Sequence, residues 1–295
     1  MTATLLDFSR KGELQPIGAV VGPISAVANR LGVQCFIAGA LARDLWIVHQ
    51  LGIETGRQTE DADFAMAVPD WDGFHAVRKA LIDSSEFSVP PGALIHRLQH
   101  RNGIRIDLVP FGGVERGDTR TIAWPPDNDF VMSVFGLREV AKHTVEVRFP
   151  GNAAGRVVTL PALALLKFDA WADRHVRVPR KDAYDIRLII RSYADANRED
   201  RLYHENPYLI GSPSDYELAG AWLLGKDMAP LVDSSGRERM ARIIANETDQ
   251  AGQLRLAGDM MSHDQERALA LLSALEVGFT DGKRELDFNA RPRFL

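Results

Sequence analysis

The sequence predicts an α/β protein of the α+β kind, with a mixed sheet in its first half and helices in its second. Three observations carry that expectation. Short apolar runs, punctuated by glycines and by Asn102-Gly103, fill the first 160 residues. One run, Phe64 to Val68, is opened by a pair of carboxylates, Asp61 and Asp63. From Pro161 onward apolar residues recur at helical spacing. A domain over residues 1–160 and a helical domain over 161–295 are therefore expected.

In chain order, residues 1–16 are a lead-in with no clear pattern. Ile17, Val20, Val21, Ile24, Val27, Ala28 and Leu31 form one stripe of a helix, and Gly32 stops it. A short buried strand follows over 33–38, then Gly39, then a helix from Ala40 to about Leu51. Glycine at a strand-to-helix junction lets backbone N–H groups approach a ligand, and a helix start favours phosphate. It serves equally well as a plain helix start. No P-loop pattern is present.

On a strand, residues i and i+2 point the same way, so Asp61 and Asp63 share a face. Adjacent carboxylates repel unless positive charge lies between them, and a hard divalent cation such as Mg²⁺ takes such oxygens. Taken alone, an Asp-x-Asp is as readily a solvated turn. A helix over 71–82 comes next. A hairpin is then expected from strands over 94–100 and 104–109, joined at Asn102-Gly103. The second strand turns Ile104, Ile106 and Leu108 to one face, and Arg105, Asp107 and Val109 to the other. Asp107 is an acid in apolar sequence and calls for a cation, Arg105 or a metal, or for a role as a base. Runs at 131–135, 145–149 and 156–160 extend the strands.

The second half opens with a helix at Pro161 and a second one from Arg180. Asp182 and Asp185, three apart, share a face of the latter and complement its amino-terminal dipole. Further helices are expected over 216–224, 237–247 and 265–277, with a tail at 284–295. The net charge of −5, from 40 acids against 35 Lys and Arg, argues against a broad basic surface and leaves room for a local groove. Cys35 is the single cysteine, which excludes an intrachain disulfide and a cysteine zinc cluster. No apolar stretch approaches 18 residues, so no membrane association and a cytoplasmic location are expected.

Three carboxylates have one further use. Two metal ions bridged by an acidic pair and a third acid clamp the attacking and leaving oxygens of a phosphoryl transfer. Gly39 with Ala40-Leu41, then Arg57-Gln58-Thr59-Glu60-Asp61-Ala62-Asp63-Phe64, then Ile106-Asp107-Leu108, resemble the DNA-polymerase-beta-type nucleotidyltransferases. Within that superfamily the chain is most similar to the abortive-infection, AbiEii-like nucleotidyltransferases of type IV toxin–antitoxin systems. Ala40-Leu41-Ala42-Arg43-Asp44 also resembles the helix start of tRNA-end-adding and poly(A)-adding relatives.

The resemblance implies the nucleotidyltransferase fold and a transfer of NMP from an NTP, ATP and GTP both being open. It implies that Asp61, Asp63 and Asp107 hold Mg²⁺ or Mn²⁺, and that Gly39 and Ala40 open the nucleotide-binding helix. Arg57 and Thr59 would belong to the same nucleotide-binding segment. Gly39-Ala40 departs from the usual Gly-Gly or Gly-Ser, which removes one hydroxyl contact. In the helical half Lys167 and Lys181-Asp182 match residues that line the family's nucleotide cleft, and the helical domain would close that cleft. Asp185 would pack the two helices. The implied acceptor is RNA, such as a tRNA 3′ end, and the implied partner an antitoxin. A small-molecule or protein acceptor, or an inactive nucleotide-binding module, are the competing readings.

Overall fold

The computed structural model describes residues 5–56, 59, 61–206, 216–249 and 251–280. Arg57 and the tail over 284–295 lie outside the described residues. The chain divides into two compact units, one ending at Thr159 and the other starting at Leu160.

The first unit is built on an eight-stranded mixed sheet. Its strands are β1 (Leu5–Asp7), β2 (Gln34–Ala38), β3 (Asp61–Val68), β4 (Phe87–Ser88), β5 (Arg97–His100), β6 (Arg105–Gly112), β9 (Thr144–Arg148) and β10 (Ala154–Val158). They lie in the order β1-β9-β10-β2-β3-β6-β5-β4. A small hairpin of β7 (Thr121–Ala123) and β8 (Val131–Ser133) stands apart from it. β3 sits centrally, antiparallel to β2 and parallel to β6. Its alternation fades after Asp63 into buried Phe64, Ala65 and Met66. That pattern belongs to a strand covered on both faces.

Helix α1 (Gln15–Arg30) buries Val20, Val21, Ile24, Val27 and Ala28. Leu31 was expected on that stripe but follows the last helical residue and stays exposed. The helix expected from Ala40 to Leu51 is instead α2 (Gly39–Asp44) running into a wider π-helical turn over Leu45–Gln50. Within that turn, buried Trp46 donates its indole N–H to the Val158 carbonyl at 2.7 Å. Helix α3 (Trp71–Asp83) is capped by Asp70, whose side chain accepts from the Gly73 N–H at 2.8 Å. The Asn-Gly hairpin forms, but its first strand begins at Arg97. A short helix, α4 (Leu137–Val140), precedes β9.

The second unit is helical: α5 (Leu160–Arg174), α6 (Pro179–Ala196), a π-helical turn over Arg198–Glu205, α7 (Tyr216–Met228), α8 (Ser234–Thr248), α9 (Arg255–Met260) and α10 (Gln265–Thr280). Helices α7 and α10 approach closely because each presents a glycine. A β-carbon at Gly225 would lie 2.0 Å from the Leu275 carbonyl oxygen, and one at Gly278 would lie 1.9 Å from that of Trp222. Among the described residues no helix is long and apolar enough to cross a membrane.

Candidate active site

The acidic pair begins β3, and strand register brings the third acid to it. In the parallel pairing of β3 with β6, Asp63 stands opposite Asp107 and Asp61 opposite Arg105. Across the other side of β3, Asp63 faces Ala38, the last residue of β2. The next residue is Gly39, with φ +65°, a conformation glycine adopts without penalty. A β-carbon there would sit 1.8 Å from Asp63 Oδ2, so any side chain at position 39 would expel the carboxylate from its place. Glycine is required twice over, by its backbone and by the acid packed on it.

Two arginines set the electrostatics. Arg105 donates Nε–H to Asp61 Oδ1 at 2.6 Å. Arg97, opposite Asp107 in the β5–β6 pairing, grips both carboxylate oxygens, Nε to Oδ1 at 2.8 Å and Nη2 to Oδ2 at 2.6 Å. The hydrogen bond to Asp107 raises the Arg97 pKa above its ordinary value against the opposing effect of burial, and the charges of Asp107, Asp61 and Asp63 add to it. The counter-ion of Asp107 is thus Arg97, while Arg105, offered by same-strand spacing, serves Asp61. Residues i and i+2 of one strand are farther apart than direct cross-strand neighbours, so register decides the pairing.

Sequence reasoning assigned His96 no role. The structure places its Nε2 3.9 Å from Asp107 Oδ1 and its ring against Trp124, centroids 4.8 Å apart. Burial lowers the His96 pKa, aided by the Arg97 charge and opposed by that of Asp107.

The donor chemistry suits a hard divalent cation, since Asp61, Asp63 and Asp107 offer carboxylate oxygens alone. Among the described residues, however, no three His, Cys, Asp or Glu side chains are grouped as a ready metal site. Asp61 and Asp107 are instead turned to their arginines.

Beyond Gly39, Ala40 is half-buried, and buried Arg43 donates Nε–H to Asp44 Oδ1 at 2.8 Å. Arg43 Nη2 lies 3.5 Å from Thr59 Oγ1. Thr59, Leu41, Asp44, His49, Glu54 and Thr55 line part of a cavity of about 690 Å³.

The helical unit holds the remaining candidates in a different state. Asp182 is fully buried and accepts from Arg174 at 2.6 and 2.7 Å and from Lys167 at 3.2 Å. Lys167 also ion-pairs with buried Asp185. Burial pushes the Asp182 pKa up, but Arg174 and Lys167 outweigh it and hold the group below its usual value. Lys181 is exposed on the first turn of α6.

Gly39 thus packs on the acidic pair that opens β3, and a third acid stands in register on the parallel neighbour β6. A family model described as "Nucleotidyl transferase AbiEii toxin, Type IV TA system" matches residues 26–270. The chain belongs to the AbiEii nucleotidyltransferase toxin family and is an enzyme of that class. A comparison with curated proteins finds no match. Among solved structures, the chain is similar to the antibiotic-resistance factor ANT(2'')-Ia, at 17% identity and TM-score 0.37, over 65% of this chain and 98% of that one. A tRNA-processing enzyme matches at 13% identity and TM-score 0.24, over 92% and 91%. The Thermotoga maritima CCA-adding enzyme matches at 11% identity and TM-score 0.22, over 91% and 79%. At these scores the family match alone carries the assignment.

Proposed function

We propose that the protein transfers a nucleoside monophosphate from an NTP to a hydroxyl of RNA, such as a tRNA 3′ end, with release of pyrophosphate, as the toxin of a toxin–antitoxin pair. The observation that carries this reading is the alignment of Asp63 with Asp107 across β3 and β6, with Gly39 closed over Asp63. Asp61, Asp63 and Asp107 would hold Mg²⁺ or Mn²⁺, which when bound neutralises charge on the phosphate oxygens. Gly39 and Ala40 present backbone N–H groups to the triphosphate. Thr59 would contact the nucleotide, and Arg57 would buttress the same loop or touch phosphate.

Asp107 accepts the proton of the attacking hydroxyl, and Arg97 sets the direction of its oxygens. In the helical unit Lys181 offers an exposed positive charge suited to phosphate, while Lys167 and Asp182 belong to a buried ion network. The protein would act in the cytoplasm, and an antitoxin would restrain it.

Incubation with each labelled NTP, Mg²⁺ and total RNA tests the proposal. Label in RNA is expected from wild type and absent from Asp63→Ala. Label that persists in Asp63→Ala would overturn the mechanism. Label that enters a small hydroxylated molecule in place of RNA would change the acceptor.

A further inference from the structure

We infer that Arg97 and Arg105 are built-in counter-ions of the carboxylate row that compete with the divalent cation for Asp107 and Asp61. The inference rests on the metal-holding role proposed above for these acids. Three carboxylates stand within adjacent positions of two paired strands: Asp61 and Asp63 on β3, and Asp107 on β6. Such a row repels itself, and a chain must fold before any cation reaches it. The two guanidiniums supply the missing charge from within. Arg97 covers both oxygens of Asp107, and Arg105 covers Oδ1 of Asp61.

The geometry has a cost for cation binding. A carboxylate accepting a two-pronged arginine has lone pairs committed at both oxygens. A cation arriving there must share or displace those bonds and tolerate a guanidinium nearby. Among the described residues the acids are not grouped as a ready metal site, and two of them are turned to arginine. Both arginines are reachable from solvent, their side chains 37% and 46% exposed. They can swing aside without opening the core. Arg97 is a positioning residue as well, because it fixes the direction of the Asp107 oxygens. Removing it is therefore expected to separate two quantities that usually fall together, cation affinity and turnover.

The test is Mn²⁺ binding to the nucleotide-free full-length chain, read by calorimetry, on wild type, Arg97→Gln, Arg97→Lys, Arg105→Gln and Asp63→Ala. Removal of one neighbouring charge moves a carboxylate's proton affinity by one or more pKa units, so Mn²⁺ is expected to bind about tenfold tighter to Arg97→Gln and Arg105→Gln. Arg97→Lys, which keeps the charge, should bind Mn²⁺ as wild type does. Turnover of Arg97→Gln should fall although its cation binds better, a split that loss of structure would not produce. Arg105→Gln alters an exposed pair and reads the same competition should Arg97→Gln fail to fold. Mn²⁺ affinity unchanged or weaker in the folded glutamine variants, with wild type binding normally, would overturn the inference. Absence of binding that distinguishes wild type from Asp63→Ala would overturn the metal role beneath it.

Discussion

The two units contain the same kind of ion pair in opposite circumstances. In the sheet unit, Asp61–Arg105 and Asp107–Arg97 lie at the ends of strands, with side chains between 16% and 46% exposed. In the helical unit, Asp182 and Asp185 are essentially closed to water, and so is Lys167. Exposed pairs contribute little to stability and exchange readily for another cation. Buried pairs cost several kcal/mol if one partner is lost, because the other stays charged and desolvated. The first arrangement suits a site that must accept a ligand, and the second a scaffold that must not move.

The sharpest way to break that contrast is Asp63→Ala, expected to reduce nucleotide transfer on the order of 10³-fold or more while leaving the melting temperature near wild type. A large loss of stability would make Asp63 structural and erase the distinction. Lys167→Met should do the reverse and cost about 3–5 kcal/mol in denaturant unfolding, since Asp182 and Asp185 would share what remains of their positive charge. Gly39→Ala probes the packing of the candidate acid: its methyl would displace Asp63, and a shift of about 1 Å is worth roughly 10²-fold in turnover.

Acid distinguishes the units more gently. The folded Asp182 pKa lies below its unfolded value, so its stabilisation is complete above the usual carboxylate pKa of about 4 and is lost as pH falls through the folded value. The wild-type helical unit should lose stability in that window, followed by far-ultraviolet circular dichroism, and Asp182→Asn should show a shallower acid limb. The smallest effect belongs to Arg105→Gln. Its half-exposed pair is worth no more than about 1 kcal/mol of stability, and a larger loss by denaturant titration would show the pair to be structural.

These contrasts mark what the sequence made legible. Alternation along 104–109 correctly separated Ile106 and Leu108 from Asp107, because a period of two needs no knowledge of neighbours. The Asp61–Asp63 face was legible for the same reason. Arg97 was not, since its pairing with Asp107 depends on where the hairpin's first strand begins and in what register it returns. The π-helical turn at Leu45–Gln50 shows no local signal, as its residues carry helical propensity and packing selects the wider turn. In the helical half the shared face of Asp182 and Asp185 followed from spacing, whereas their burial depends on Lys167 and Arg174 of another helix.

The order of strands has a consequence for the protein as it is being made. Asp63 and Asp107 are both synthesised well before β10, yet β2, which delivers Gly39, is bare along one edge until Val157 pairs with Ile37. β1 likewise waits for β9, since Leu5 pairs with Glu146. At ordinary translation rates the roughly fifty residues between Asp107 and Val158 occupy a ribosome for about 3–10 s. During that interval the nascent chain carries Asp61, Asp63 and Asp107 on strands whose outer neighbour along β2 is still missing. A message cut short in this stretch would yield fragments with an open strand edge along β2.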